Sequence, residues 1–327
     1  MRLVTFKAKG EETSLGFLEN SIVYDVRKTY NYLFDKQKWE GSLEMFEVLN
    51  LAGDTFRLIN KAYKQLKKIS GRTQEMIGKK ISYRVADIKI LLPFTPSAII
   101  CSGNNYADHL QEKEVLDSKD LKGEDIELFL KLPQTLIGPY DPIPYSKKLT
   151  EKLDYENELA VVVGREAWQL SPAEAKKCIF GYSIINDLSA RDRQMTPTKG
   201  VKVGLSKNFE GCGALGPCIA TVDEFKEPLA MEILTQVNGE TRQHSNTRLM
   251  IHDPAFLISY FSQYFKLKPG YLLATGTVGG TAWSTDPVLG GVPYERPDIV
   301  RGGYLKPGDV VVCSIEGIGE LRNTVHK

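Results

Sequence analysis

The sequence predicts a mostly-β, α+β fold, and three observations carry that expectation. Short β-branched runs ("AIIC", "LAVVV", "CIFGYSII", "YLLAT" and "DVVVCSI") follow one another from about residue 98, separated by Gly, Pro and Asn turn signals and by few helical periodicities. Two near-identical pieces, "LKPGYLLATG" at 267 and "LKPGDVVVCS" at 305, each set Pro-Gly ahead of a strand, the pattern of a tight turn feeding it. The run "LAVVVG" after Glu158 lacks polar alternation, so that strand is covered on both faces. Strands that do not alternate with helices favour a roll or barrel over a doubly wound sheet.

The elements follow in order. In residues 1–95, "RLVTFKA" and "SLGFLENSIVYDV" read as strands ahead of a Lys-rich helical run from about 42 to 68, a small N-terminal α+β domain. Pro93 and Pro96 punctuate the boundary and assign 96–327 to the larger domain. Within it, 112–130 is strongly charged and reads as a lid or a solvated surface excursion. Residues 280–303 form a long Gly/Pro stretch without periodicity, of a length that in compact domains is mobile or functional.

Composition narrows the function. The 327 residues are 42% hydrophobic and 25% charged, ordinary for a globular protein. Lys and Arg (42) balance Asp and Glu (41), so a net charge of +1 leaves no footprint for nucleic acid or an anionic membrane, and a small molecule is the expected partner. The five cysteines are odd in number and contain no Cys-x-x-Cys, which suits a reducing compartment. Without a signal-peptide run or 18 consecutive apolar residues, the expected location is cytoplasmic.

Several residues could carry chemistry. Glu156 and Glu158 stand two apart, so on a strand they share a face. Two carboxylates that close repel unless a cation lies between them, and on a covered strand a hard divalent ion such as Mg²⁺ or Mn²⁺ is the leading candidate. A solvent-facing pair with a Lys or Arg partner has the same spacing. Asp187 can complete the cluster, although before Ser-Ala-Arg-Asp it reads equally as a helix N-cap. His109 and Glu112 are three apart, neighbours on one helical face, where a carboxylate can orient an imidazole for general-base work or simply sit beside it on the surface. Lys207 lies in a Gly-rich segment, where it can stabilise developing negative charge or equally be an ordinary exposed loop lysine. Thr275 to Thr277 end a strand with hydroxyls and amides able to meet a carboxylate, and a plain strand end explains them equally well. No phosphate-binding glycine motif stands in a strand–helix context.

Taken in order, "GNNYADH", "DYENELAVVVG", "GYSIINDLSARDRQ", "SKNFEGCGALGP", "VNGETRQHSNT", "LKPGYLLATGT" and "LKPGDVVVCSIEGIGELRNTV" strongly resemble the fumarylacetoacetate hydrolase (FAH) family, including its acylpyruvate hydrolase branch, over about 98–327. The resemblance implies a mixed β-sandwich roll, usually dimeric, with the site near the subunit interface. It implies Mg²⁺ or Mn²⁺ on Glu156, Glu158 and Asp187, a water-activating pair in His109 and Glu112, and a cationic Lys207. It places Arg191, Gln194 and Thr277 against a keto-acid substrate. The implied activity is metal-dependent hydrolysis of a carbon–carbon bond in a 2,4-diketo acid or related 1,3-dicarbonyl. Isomerisation, oxaloacetate decarboxylation and 2-keto-3-deoxy sugar acid dehydration are alternatives on the same fold, and a non-catalytic binding protein is a remote one. Two departures bear on the substrate: Val278 stands where relatives commonly have Pro, and 280–303 replaces a shorter connection.

Overall fold

The expected covered strand is Asn157–Val163, and every one of its residues is buried. Its odd and even positions face different cores, as a period of two requires. Leu159, Val161 and Val163 pack with Ile233, Val311 and Leu321, whereas Ala160 and Val162 pack with Ile59, Leu66 and Phe180. The strand therefore lies in a middle layer, which explains its apolar run.

The structure is a computed structural model that describes residues 1–35, 38–41, 43–112, 126–196, 200–293 and 295–327. Strands Ile179–Asp187 and Tyr271–Thr277 flank the central strand, both antiparallel to it. Beyond Ile179–Asp187 come Gly213–Thr221, Arg2–Ala8, Thr13–Glu19, Ile22–Asp25 and Ser82–Arg84; beyond Tyr271–Thr277 come Ala98–Ser102, which is parallel to it, and Leu128–Lys131 at the edge. A second sheet, ordered Glu240–Asn246, Glu232–Val237, Val310–Ile315, Gly319–His326 and Ile143–Pro144, covers one face of the first. Helix Asp54–Lys68 covers part of the other and buries Ile59, Ala62 and Leu66, spaced along one helical stripe. This mixed sheet-rich sandwich is the fold class expected.

Residues 1–95 join the remainder through backbone pairing, with Arg2 opposite Ala220 and Leu3 opposite Ile219. The helical run expected over 42–68 divides into Met45–Val48 and Asp54–Lys68. The break has a tertiary cause: Leu51 N–H donates to the Gly164 carbonyl (2.9 Å), and Asn50 Oδ1 accepts from Ala52 N–H (3.0 Å), turning the chain before Asp54. Both Lys-Pro-Gly segments form the expected turns, Tyr271 N–H bonding the Lys268 carbonyl and Asp309 N–H the Lys306 carbonyl, each at 3.0 Å. Residues 113–125 of the charged 112–130 segment lie outside the described residues. All five cysteines are free and buried, and among the described residues no helix is long and apolar enough to cross a membrane.

Candidate active site

Strand register assembles the carboxylates. Glu158 lies opposite Ile185 on one neighbour and Thr277 on the other, while Asp187 N–H donates to the Glu156 carbonyl (2.8 Å) and Glu156 N–H to Asn186 Oδ1 (2.9 Å). Glu156, Glu158 and Asp187 thus stand at the same end of adjacent strands, all buried, each offering an oxygen within 4.8 Å of the others. Asp187 is the last residue of strand Ile179–Asp187. The N-cap alternative for it fails, because its carboxylate is turned to lysines and not to the first turn of Arg191–Gln194. Gly276 N–H donates to Glu158 Oε2 (2.8 Å) from a left-handed backbone (φ +91°), where an added Cβ would stand 3.0 Å from the Ser102 carbonyl oxygen.

Cations share this cluster unevenly. Lys207 Nζ bridges Glu156 and Asp187, donating to Asp187 Oδ2 at 2.7 Å, and the wholly buried Lys131 Nζ approaches Asp187 Oδ1 at 2.6 Å. Arg191 donates to Asp154 Oδ2 (2.8 Å), to Gln194 Oε1 (2.9 Å) and to Glu156. Burial alone would raise the Glu156 carboxyl, but Arg191 and Lys207 hold it well below the usual carboxylate range. Burial pushes Glu158 well above that range, and the charges of Asp187 and Glu156 push it further. Among the described residues no ion pair includes Glu158, and Asp187 Oδ1 has no well-aligned hydrogen bond despite its nearby lysine. A buried three-carboxylate face on which Glu158 has no cation and Asp187 Oδ1 no aligned donor fits a hard divalent cation.

The His–Glu pair forms as the spacing suggested, with His109 Nδ1 2.6 Å from Glu112 Oε2, and both side chains are buried. Glu112 Oε1 accepts the backbone N–H groups of Gly280 (2.6 Å) and Thr281 (3.0 Å), and Oε2 also accepts the Thr281 hydroxyl (2.8 Å). With Glu112 an acceptor throughout, His109 carries its proton on Nδ1 and leaves Nε2 unprotonated.

One cavity of about 180 Å³ is lined by His109, Glu156, Glu158, Arg191, Lys207 and Thr277, with Gln194, Phe129 and Trp283 among its other walls. Of the nine residues singled out from sequence, the structure brings seven to this cavity; Asp187 and Glu112 lie directly behind it, bonded to Lys207 and His109. Thr277 Oγ1 accepts from Gln243 Nε2 at 3.0 Å.

The geometry agrees with the comparisons. Residues 98–326 match the family model described as fumarylacetoacetate (FAA) hydrolase, C-terminal. The chain belongs to this family. An uncharacterized protein of Staphylococcus haemolyticus is 35% identical over 253 residues, 76% of each chain. The solved fumarylacetoacetate hydrolase of the psychrophilic Exiguobacterium antarcticum is 31% identical, with a TM-score of 0.72 over 100% of this chain and 99% of that one. A 2-hydroxyhepta-2,4-diene-1,7-dioate isomerase from Mycobacterium marinum is 26% identical, with a TM-score of 0.67 over 100% and 98%. The family therefore includes both hydrolases and isomerases.

In this family member several site residues escaped sequence reasoning. Lys131 and Trp283 carry no periodic or motif signal of their own, while Asp154 and Gln243 stand inside the quoted motifs "DYENELAVVVG" and "VNGETRQHSNT" with no role assigned to them there. Asp154 is wholly buried and binds Arg191, and burial raises its carboxyl although Arg191 opposes the shift. Its position two residues before Glu156 was the one available hint.

Proposed function

We propose that this protein is a divalent-cation-dependent hydrolase that cleaves a carbon–carbon bond in a 2,4-diketo acid or a related 1,3-dicarbonyl. The observation that carries the reading is the buried His109–Glu112 pair, 2.6 Å apart, with His109 opening onto the same cavity as Glu156 and Glu158. An enzyme that only shuffled protons on an enolate would not require a dedicated water-activating pair beside the carboxylates.

Glu156, Glu158 and Asp187 would hold Mg²⁺ or Mn²⁺, which supplies Lewis-acid polarisation of the substrate's carbonyl oxygens. Arg191, Gln194 and Thr277 bind and orient the keto-acid end. His109 Nε2 takes a proton from water as the water oxygen bonds to the distal carbonyl carbon. The bond from that carbon to the central methylene then breaks, and its electron pair leaves as the enolate of a 2-oxo acid. Lys207 has three N–H donors, of which Glu156 and Asp187 occupy two, so the third can meet the negative charge that develops. Reprotonation of the enolate gives one carboxylate and one 2-oxo acid from one water. The exposed Leu128 and Leu130 project from the same face of the edge strand Leu128–Lys131, and we propose this edge as the contact of a homodimer, which light scattering in solution checks.

The test is turnover of acetylpyruvate, fumarylpyruvate, fumarylacetoacetate, oxaloacetate and a 2-keto-3-deoxy sugar acid, with and without Mg²⁺ or Mn²⁺, beside His109→Ala. Hydrolysis of a diketo acid that needs both the cation and His109 supports the reading. Turnover of oxaloacetate or the sugar acid, or indifference to His109, replaces it with decarboxylation, dehydration or isomerisation.

A further inference from the structure

Within the stretch 280–303, Thr281 and the first turn of the short 3-10 helix Ala282–Thr285 touch both halves of the site. Thr281 reaches the water-activating half: its hydroxyl donates to Glu112 Oε2, the oxygen that faces His109 Nδ1, and its N–H donates to Oε1. From the middle of the same loop, Val292 N–H holds the Glu112 carbonyl (3.0 Å). Ala282 and Trp283 reach the substrate-gripping half: their N–H groups donate to the Asp154 carboxylate at 2.8 and 3.0 Å, and Asp154 Oδ2 takes Arg191 Nε at 2.8 Å. The Trp283 indole stands between the two, its ring 5.7 Å from the Arg191 guanidinium carbon and 6.3 Å from the His109 ring, edge to face.

We propose that Thr281 is a positioning residue for the His109–Glu112 pair, and that the Thr281–Trp283 turn sets this pair and Arg191 together, through Glu112 and Asp154. The hydroxyl is the part of the turn that a side-chain change can remove without disturbing the backbone. Four donors fix Glu112: Gly280 N–H, Thr281 N–H, Thr281 Oγ1–H and His109 Nδ1–H. Three come from rigid neighbours, and the fourth, the imidazole, is the one that must be aimed. With the Thr281 hydroxyl in place, Oε2 has one lone pair committed and only one direction left for His109. Without it the carboxylate oxygen can rotate its acceptor direction, and the imidazole no longer points Nε2 at a single place in the cavity. Thr281 itself does not line the cavity, so it acts through Glu112 and not on substrate.

The inference rests on the hydrolase reading, and the experiment separates the two. Initial rates on the best diketo acid of the panel are compared for the wild type, His109→Ala, Thr281→Val and Thr281→Ser, with the thermal midpoint of each recorded. Thr281→Val keeps the shape and loses the hydroxyl; the expected result is a drop in kcat of about tenfold with KM within twofold, together with a midpoint lowered by the loss of one hydrogen bond to a buried carboxylate. Thr281→Ser restores the hydroxyl and should recover kcat to within threefold of wild type. A Thr281→Val kcat within twofold of wild type, while His109→Ala is dead, overturns the role of Thr281 and leaves the hydrolase reading standing. Equal losses in Val and Ser also overturn it, since the hydroxyl would then be irrelevant. Full activity in His109→Ala instead removes the hydrolase reading itself.

Discussion

Gly280 and Gly290 both adopt positive φ in the loop after strand Tyr271–Thr277, at +104° and +81°, yet substitution by Ala should cost far more at one than at the other. Each alanine incurs the left-handed backbone cost, roughly 1–2 kcal/mol. At Gly290 nothing lies within 4 Å of the added Cβ, so the cost stops there. At Gly280 the Cβ would stand 2.0 Å from the Arg242 carbonyl oxygen, a backbone atom that cannot step aside, so the turn itself must move. Moving it breaks the N–H bonds of Gly280 and Thr281 to Glu112 Oε1, at 2.6 and 3.0 Å. A hydrogen bond to a charged group contributes about 1.5–3 kcal/mol, so the two add about 3 kcal/mol or more to the Gly280→Ala cost. Urea unfolding of both variants, together with diketo-acid turnover, makes the comparison. Gly290→Ala should lose about 1 kcal/mol and keep its activity, whereas Gly280→Ala should lose about 4 kcal/mol or more and its turnover. Equal behaviour of the two would refute the argument that this turn holds Glu112.

Other outcomes follow from the same structure. Lys131→Met leaves Asp187 Oδ1 without its cation, while Lys207 still holds Oδ2; the loss in urea unfolding should therefore fall below the roughly 3–5 kcal/mol of fully unpairing a buried charge, at about 2 kcal/mol, and unchanged stability would contradict the ion pair. His244 bonds Glu232 Oε1 (2.7 Å) and Asp298 Oδ2 (2.6 Å), and these hydrogen bonds raise its pKa against a partial burial that would lower it. A raised histidine contributes stability that is complete below the unfolded value near 6.5 and is lost as pH rises through the folded value. His244→Gln should accordingly lower the thermal midpoint at pH 6, by the equivalent of no more than about 1 kcal/mol after solvent screening, and the gap should close by pH 9. A gap that widens with pH would show that the network works otherwise.

Much of the site was legible because its signals are local. Two glutamates at i and i+2 before an apolar run, and His and Glu at i and i+3, are spacings that strand and helix geometry convert directly into shared faces. Asp187 was ambiguous from its own segment, because its role depends on the register that sets Asn186 opposite Asn157, a pairing between segments about thirty residues apart. Lys131 and Trp283 were invisible for the same reason: one comes from an edge strand and one from an aperiodic loop, and only tertiary contact brings them to Asp187 and Arg191. The division of the 42–68 helix was hidden likewise, since the Leu51 bond to Gly164 spans more than a hundred residues. The lid reading of 112–130 falls mostly outside the described residues, and only its first residue, Glu112, and its last five are placed.

In the proposed reaction, water attacks carbon under the direction of His109. The most direct measurement is turnover of acetylpyruvate in H₂¹⁸O with Mg²⁺ or Mn²⁺, read by mass spectrometry of the acetate. One ¹⁸O should enter the acetate carboxylate for each turnover by the wild type, and His109→Ala should give no acetate. Acetate formed at the wild-type rate by His109→Ala, or acetylpyruvate that exchanges or isomerises without giving acetate, would contradict it.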